Sequence, residues 1–375
     1  MNMPQQLEEI KNILSDCGVV GAGGGGFPSH LKLDTRCKTI LLNCAECEPL
    51  TQVDHQLLAA YAPEILLTLN HLAAVLDANV VVAVKKSFTA AISAVENKLD
   101  KYPRTRLVLL DDVYPAGDEI VLIYEALGIV VPPGALPIEA GCVVFNTETV
   151  YNMYNALLLR QPVTHKWVTI VGEVKHPVTA RVPIGTNLKE AIKRAGEITT
   201  QSPVFIVGGV MMGGIASPSD EMKKTTNCLL VLPSDHTLAL KSSNRQADLN
   251  RIASACCQCR TCTDMCPRYL LGHPIQPHRI MRALSARNAK ADAYGGVMYC
   301  SMCGVCEVIA CPQSLAPRAM IKIFKTALAD AGVKPEKREA APVTCAREGR
   351  LVHANRLKMR LGLAKYDLEA PMEVT

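Results

Sequence analysis

Cys256-Cys257-Gln258-Cys259-Arg260-Thr261-Cys262-Thr263-Asp264-Met265-Cys266-Pro267 and Cys300-Ser301-Met302-Cys303-Gly304-Val305-Cys306-Glu307-Val308-Ile309-Ala310-Cys311-Pro312 are the stretches that decide how this chain is read. In each, three cysteines stand at x2 spacing and a fourth precedes proline. Three thiolates at that spacing wrap one face of a 4Fe–4S cluster, and in two-cluster ferredoxins the fourth reaches the other cluster. By this rule Cys256, Cys259, Cys262 and Cys311 hold one cluster, and Cys300, Cys303, Cys306 and Cys266 hold the other. Zinc prefers two CxxC pairs and fits two runs of four poorly. The second run has one residue more before its last cysteine than the first, which leaves the local path near Cys311 open. Cys257 reads as a neighbour of the cluster, not a ligand.

Around these runs, from Ala247 to about Ala329, the pattern is helical. The segment before it, 161–245, has strand signals at 167–172, 178–182, 203–207 and 228–232 and a helix at 187–195, which suggests a small β-grasp-like α+β unit. Residues 1–160 alternate strands (39–43, 79–84, 106–110, 142–145) with helical patterns (5–16, 54–76, 87–100, 118–127), the mark of an α/β layer with a parallel sheet. Residues 331–375 read as a linker and tail. They hold a short helix within 345–364 and an extended end, with Arg347, Arg350, Arg356, Lys358 and Arg360 on a solvated face.

The bulk numbers agree with several domains. The chain has 375 residues, 49% of them hydrophobic but only 4% aromatic, so its cores are aliphatic. A net charge of +5 without basic clusters or stacking platforms gives no reason to expect nucleic acid. No apolar run reaches the roughly 20 residues of a membrane span, and the polar N-terminus does not read as a signal peptide. Sixteen cysteines in a chain read as cytoplasmic point to metal or redox chemistry, not disulfides.

Upstream lies Gly21-Ala22-Gly23-Gly24-Gly25-Gly26-Phe27-Pro28. It contains G-x-G-x-x-G, but a helix precedes it and Phe-Pro follows, so it is no ordinary Rossmann turn. Its glycines still let backbone N–H groups approach a phosphate or a flat ring. Three polar clusters follow strands: Asn43-Cys44-Ala45-Glu46-Cys47-Glu48, Gly117-Asp118-Glu119 and Asn146-Thr147-Glu148-Thr149. Ligands of open α/β sheets bind at the carboxyl ends of strands, so these clusters are expected to converge on one sheet edge. Asp118 and Glu119 also suit a helix N-terminus. Cys44 and Cys47 form a CxxC that suits a redox pair or half a zinc site.

The glycine segment with Lys32, the Asn43–Pro49 stretch and the paired cluster runs resemble the FMN- and NADH-binding subunit of respiratory complex I and, more closely, the C subunit of Rnf complexes. Trp167-Val-Thr-Ile-Val-Gly-Glu-Val-Lys-His-Pro177 resembles the opening of that family's β-grasp domain. The likeness is greatest to the cobalamin reductases of propanediol-utilisation microcompartments. It implies an α/β flavin-binding domain, a β-grasp-like α+β domain and an α-helical two-cluster ferredoxin-type domain. It also implies FMN against Gly21, Gly23, Gly24 and Gly26. Lys32, Asn43, Glu46, Glu48, Gly117, Asp118, Glu119 and Asn146 would line the flavin and nicotinamide pocket, with Glu48 and Glu119 the catalytic candidates. Cys44 stands where the family more often has Gly.

The function so implied is electron transfer from NADH, through FMN and two 4Fe–4S clusters, to cob(III)alamin and then cob(II)alamin. The alternatives are an electron-input subunit of an Rnf-like complex and a passive iron–sulfur carrier. The expected partners are an adenosyltransferase and microcompartment shell proteins, and the expected location is the cytoplasm, within a microcompartment. The reductases carry a further β-rich domain, so the chain is expected to be a shorter relative or a truncated form.

Overall fold

The computed structural model describes residues 3–240, 245–285 and 294–373. Helix α1 (Met3–Asp16) buries Leu7, Ile10 and Leu14, one stripe at helical spacing. Five strands follow: β1 (Thr39–Cys44), β2 (Asn79–Lys85), β3 (Thr105–Leu110), the short β4 (Val113–Tyr114) and β5 (Cys142–Asn146). Four of them form a parallel sheet in the order β3-β2-β1-β5. Their aliphatic runs alternate between two cores, as a sheet covered on both faces requires. Ile40, Leu42, Val80 and Val82 face one core, and Leu41, Val81, Ala83 and Val144 face the other.

The first core is closed by α1, α2 (Val53–Ala60), α3 (Ala62–Leu76), α4 (Thr89–Glu96) and α6 (Thr147–Leu159); the second by α5 (Glu119–Leu127). The single helix expected over 54–76 is two helices bent by 92° at Tyr61. Pro63 explains the break: it has no N–H to bond back, and its ring excludes the carbonyl four residues earlier. No single helix among the described residues is long and apolar enough to cross a membrane.

The second sheet holds β6 (His165–Gly172), β7 (Val178–Pro183), β8 (Pro203–Val207), β9 (Gly214–Ala216) and β10 (Cys228–Pro233), in the order β7-β6-β10-β8-β9. Only the central pair β6–β10 is parallel. Gly172, at φ +104°, lets these two strands close: a Cβ there would meet the Val231 carbonyl at 2.0 Å. The helix expected at 187–195 runs from Leu188 to Ile192 and tightens into a 3-10 turn. Strand β9 was not legible, because Gly-Ile-Ala is short and half-exposed.

The cysteine-rich segment is built of short helices, among them Thr261–Asp264, Pro277–Ser285, Val305–Val308 and Pro317–Asp330. The end of the chain is packed in place. Strand β11 (Val352–His353) pairs antiparallel with β4. Leu357, Leu361, Leu363, Tyr366 and Ala370 enter a core shared with β10 and the Cys303 loop. Arg347, expected on a solvated face, is buried against Tyr124 and pairs with Glu125.

Candidate functional site

The glycine segment is a closed loop. Gly21 N–H donates to Phe27 O at 2.9 Å, Gly26 N–H to Gly21 O at 3.1 Å, and Val20 bridges Pro28. Ala22 N–H donates to Thr149 Oγ1 at 3.0 Å, tying the loop to the start of α6. Gly23 packs on Asn146, where a Cβ would come within 2.6 Å of the amide. Gly24 and Gly25 have nothing within 4 Å of a built Cβ and present bare backbone to open space.

Behind the loop, Asn43 and Asn146 are register partners at the carboxyl ends of β1 and β5. Chain order reverses between these strands, and open α/β sheets bind ligands at such a point. Asn43 Nδ2 donates to Gly117 O at 3.0 Å. Lys32 Nζ bonds Glu119 Oε1 at 2.9 Å and Val144 O at 3.0 Å. Gly23, Lys32, Asn43, Gly117, Glu119 and Asn146 therefore gather at one sheet edge.

Three predicted residues have other occupations. Glu46 turns inward and takes the N–H of Asp54 at 2.8 Å and the His55 ring. Burial alone would raise its pKa, but His55 outweighs it and holds Glu46 low. Next to it, burial and then the Glu46 charge push Asp54 up to about 7. Asp54 accepts the N–H of Glu148, which in turn pairs with the buried Lys166. Asp118 caps α5 and pairs with Arg268 at 2.9 Å. Glu48 accepts the N–H groups of Met211 and Met212 at 3.0 and 2.8 Å, and burial raises its pKa to about 7. Cys44 and Cys47 are both free thiols, and Cys44 is wholly buried.

Gly23, Gly24, Gly25 and Glu48 open onto a cleft of about 800 Å³ whose far wall is the β-grasp-like unit, from Val207 to Asn227. That volume lies in the range of cofactor sites. With the bare glycine backbone, it fits a flavin nucleotide. No feature of the sequence marked Met211, Met212, Asp54 or His55: the methionines come from a distant segment, and Asp54 and His55, eight and nine residues after Glu46, belong to no motif.

The two cysteine loops share one conformation. Gln258 and Arg260 in the first, and Met302 and Gly304 in the second, take positive φ at the same offsets from Cys256 and Cys300. These turns aim donors at sulfur: Met302 N–H at Cys300 Sγ (3.3 Å), Gln258 Nε2 at Cys256 Sγ (3.2 Å) and Thr261 Oγ1 at Cys259 Sγ (3.4 Å). Cys256, Cys259, Cys262 and Cys311 line one small cavity, together with Cys257. Cys306 is pushed up by burial and then by the sulfurs of Cys303, Cys300 and Cys266, its neighbours in a second group. The structure thus brings the cysteines of both runs together in two groups, and a set of thiols is donor chemistry that fits an iron–sulfur cluster. The extra residue before Cys311 is absorbed by a widened turn, in which Ala310 N–H bonds Val305 O five residues back at 3.0 Å.

Three contacts join these loops to the rest. Tyr114 Oη donates to Cys303 O at 2.6 Å. Arg268, two residues after Cys266, holds Asp118. Arg318 donates to Met211 O, on the loop that binds Glu48.

Residues 14–155 match the model of the Nuo51 FMN-binding domain, 167–214 that of the SLBB domain, and 255–316 that of a 4Fe-4S dicluster domain. The cobalamin reductase PduS of Citrobacter freundii is 38% identical over 98% of this chain and 82% of its own length. The chain belongs to the PduS family. The Salmonella typhimurium PduS agrees, at 39% identity over 99% of the chain and 83% of the relative. The C subunit of the Na(+)-translocating ferredoxin:NAD(+) oxidoreductase complex of Acetobacterium woodii is 30% identical over 70% of the chain and 58% of its own length. A chain of an NAD+-reducing [NiFe]-hydrogenase shares the fold, with a TM-score of 0.55 at 18% identity, over 90% of this chain and 64% of that one.

Proposed function

We propose that this PduS-family chain is an NADH-dependent flavo-iron–sulfur reductase that passes electrons to the cobalt of cobalamin. The observation that carries the reading is the joining of the glycine cradle and both cysteine quartets in one fold. The Tyr114–Cys303 hydrogen bond ties the short β4, between β3 and α5 of the α/β unit that bears the cradle, to a cysteine loop. When bound, FMN supplies a hydride acceptor that releases electrons singly, and the clusters supply one-electron carriers.

The chain's own residues hold and orient. Gly21, Gly23, Gly24 and Gly26 shape the cradle, in which the backbone at Gly24 and Gly25 is free to approach a ring or phosphate. Lys32, held between Glu119 and Val144, offers a fixed ammonium to a phosphate or a flavin carbonyl. Asn43 and Asn146 set the floor. Glu48 and Glu119 border the space a nicotinamide would enter, and Glu46 and Asp118 support that wall from behind. The eight cysteines would ligate two 4Fe–4S clusters, four to each. We assign 1–160 to the flavin and NADH unit, 161–245 to the β-grasp unit, 246–330 to the clusters, and 331–375 to the closing segment. An adenosyltransferase would take the reduced corrinoid, in the cytoplasm and within a microcompartment shell.

Likeness to the C subunit from Acetobacterium woodii favours one second reading, an electron-input subunit of an Rnf-like complex. Anaerobic reconstitution, a flavin and iron count, and NADH titration separate the two. The proposed function predicts one FMN and roughly eight irons per chain, bleaching of the flavin by NADH, and reduction of cobalamin. Reduction of artificial acceptors but not cobalamin would favour the Rnf-like reading. No bound flavin and no response to NADH would leave only a passive carrier.

A further inference from the structure

The quartet of Cys256, Cys259, Cys262 and Cys311 lies at the surface. Cys259 is exposed and the other three are half-buried, and the neighbouring Cys257, Gln258 and Gln313 are exposed as well. Four arginines ring it. Arg251 reaches Ser314 O at 3.2 Å, beside the Cys311 loop. Arg260 lines the quartet's cavity together with His278. Arg279 and Arg282 follow on the same helix as His278 and are exposed. Their nearness is felt at that ring: burial and then Arg260 and Arg279 lower the His278 pKa. Against this stands Asp264, which Arg260 and Arg350 already engage at 3.2 and 3.5 Å. Arg251, Arg279 and Arg282 form no ion pair with any described residue.

We propose that this arginine-ringed face is the docking surface for an acidic protein that presents the one-electron acceptor. Two arguments lead there. The small cavity at the face is the space lined by the quartet itself, so an acceptor meets this centre across the exposed surface. Unpaired arginines around an exposed redox centre attract and orient an anionic partner and raise its encounter rate. The proposal rests on the function above for the identity of the acceptor. One NADH gives up two electrons, leaves as NAD+ with release of one proton, and takes two acceptor cobalts from Co(III) to Co(II), one electron each.

The test uses reconstituted holoprotein and two protein probes of opposite charge, acidic flavodoxin and basic cytochrome c, with binding read by interferometry. Flavodoxin is expected to bind, and to weaken about tenfold or more between about 50 and about 300 mM salt. Arg279→Glu/Arg282→Glu is expected to weaken flavodoxin about tenfold more and to admit cytochrome c. Arg279→Gln/Arg282→Gln should fall between. Cluster absorbance and NADH-driven reduction of free hydroxocobalamin should not change in either variant. Equal binding of both probes, or flavodoxin binding indifferent to salt and to both variants, overturns the proposal. Should the reversed variant lose its clusters, the salt series and the neutral variant decide. Failure of NADH to bleach the wild-type flavin would strike the proposed function and leave the binding result standing.

Discussion

The two cysteine quartets share a loop conformation and a donor pattern, yet they live in different surroundings. Cys266, Cys303 and Cys306 are each 8% exposed, whereas Cys259 stands in solvent. The inner quartet is gripped from three sides: by Tyr114 from the short β4, by Asp118 through Arg268, and by Lys325, which donates to Cys300 O. The outer quartet packs Cys256 and Cys311 on a small apolar cluster of Ile252, Met281, Leu315 and Met320 and leaves Cys259 exposed among arginines. One cysteine motif, used twice, thus gives one group buried against the flavin-binding domain and one group at the surface. The difference comes from what packs on the loops.

Deleting one ligand from each quartet tests this most severely. Cys306→Ala should lower iron from about eight to about four per chain and end NADH-driven reduction of cobalamin, while NADH still bleaches the flavin. Cys259→Ser should lose as much iron but keep an inner centre that NADH reduces, visible by low-temperature EPR. Identical behaviour of the two variants would erase the distinction. Cys266→Ala together with Cys306→Ala, one from each run, should cost one cluster's iron; loss of both clusters' iron would break the crossed pairing.

The next effect is smaller and depends on pH. Glu48 holds the Met211–Met212 loop, whose carbonyl receives Arg318 beside Gly304 of the inner quartet. Its folded pKa is raised from 4.5 to about 7 by burial. Between those values the folded protein keeps a proton that the unfolded chain has lost. Stability therefore falls as pH rises from about 4.5 to about 7, by about 3 kcal/mol at most for this group. Glu48→Gln should flatten that part of the pH profile of thermal unfolding, followed through the single buried Trp167. An unchanged profile would mean that the carboxylate is solvated.

What was legible in the sequence was what is written locally. The eight candidate ligands lie within two twelve- or thirteen-residue runs, so spacing alone put them forward. The aliphatic strands gave the parallel sheet, strand ends gave the convergence of Asn43, Gly117, Glu119 and Asn146, and Lys32 came only from the family resemblance. The roles of Glu46 and Asp118 were not legible, because His55 and Arg268, which bind them, carry no motif. Pro63 was visible, but the apolar periodicity of 54–76 masked the bend it forces. The tail looked like a linker because its apolar residues are sparse; only the fold shows that β4 and the Cys303 loop offer them a core.

Tyr114→Phe probes one grip on the inner quartet. The ring stays buried, but the Cys303 carbonyl loses the donor it has at 2.6 Å. An unsatisfied buried carbonyl costs about 1–2 kcal/mol, so the thermal midpoint should fall by a few degrees. The EPR signal of the inner centre should shift and that of the outer centre should not. Equal shifts in both would mean that the loops communicate more than their separate packing suggests.

The smallest effect is expected at Cys257, the one cysteine of the first run outside both quartets. It is exposed and lies next to a ligand, and its thiol reaches toward the Cys259 sulfur. Deletion of a true ligand would halve the iron, but Cys257→Ser keeps all four sulfurs of the outer quartet and replaces the thiol with a donor of similar reach. Iron should remain near eight per chain, and stability should change by about 0.5 kcal/mol or less, as surface substitutions do. What should change is the chemistry of the open face. Iodoacetamide applied to the holoprotein should modify the exposed Cys257 and Cys345, since the eight ligands would be committed to iron, and the serine variant should take up one label fewer. Loss of four irons in Cys257→Ser would instead make Cys257 the ligand in place of its neighbour Cys256, and would shift the outer loop by one residue relative to the inner one.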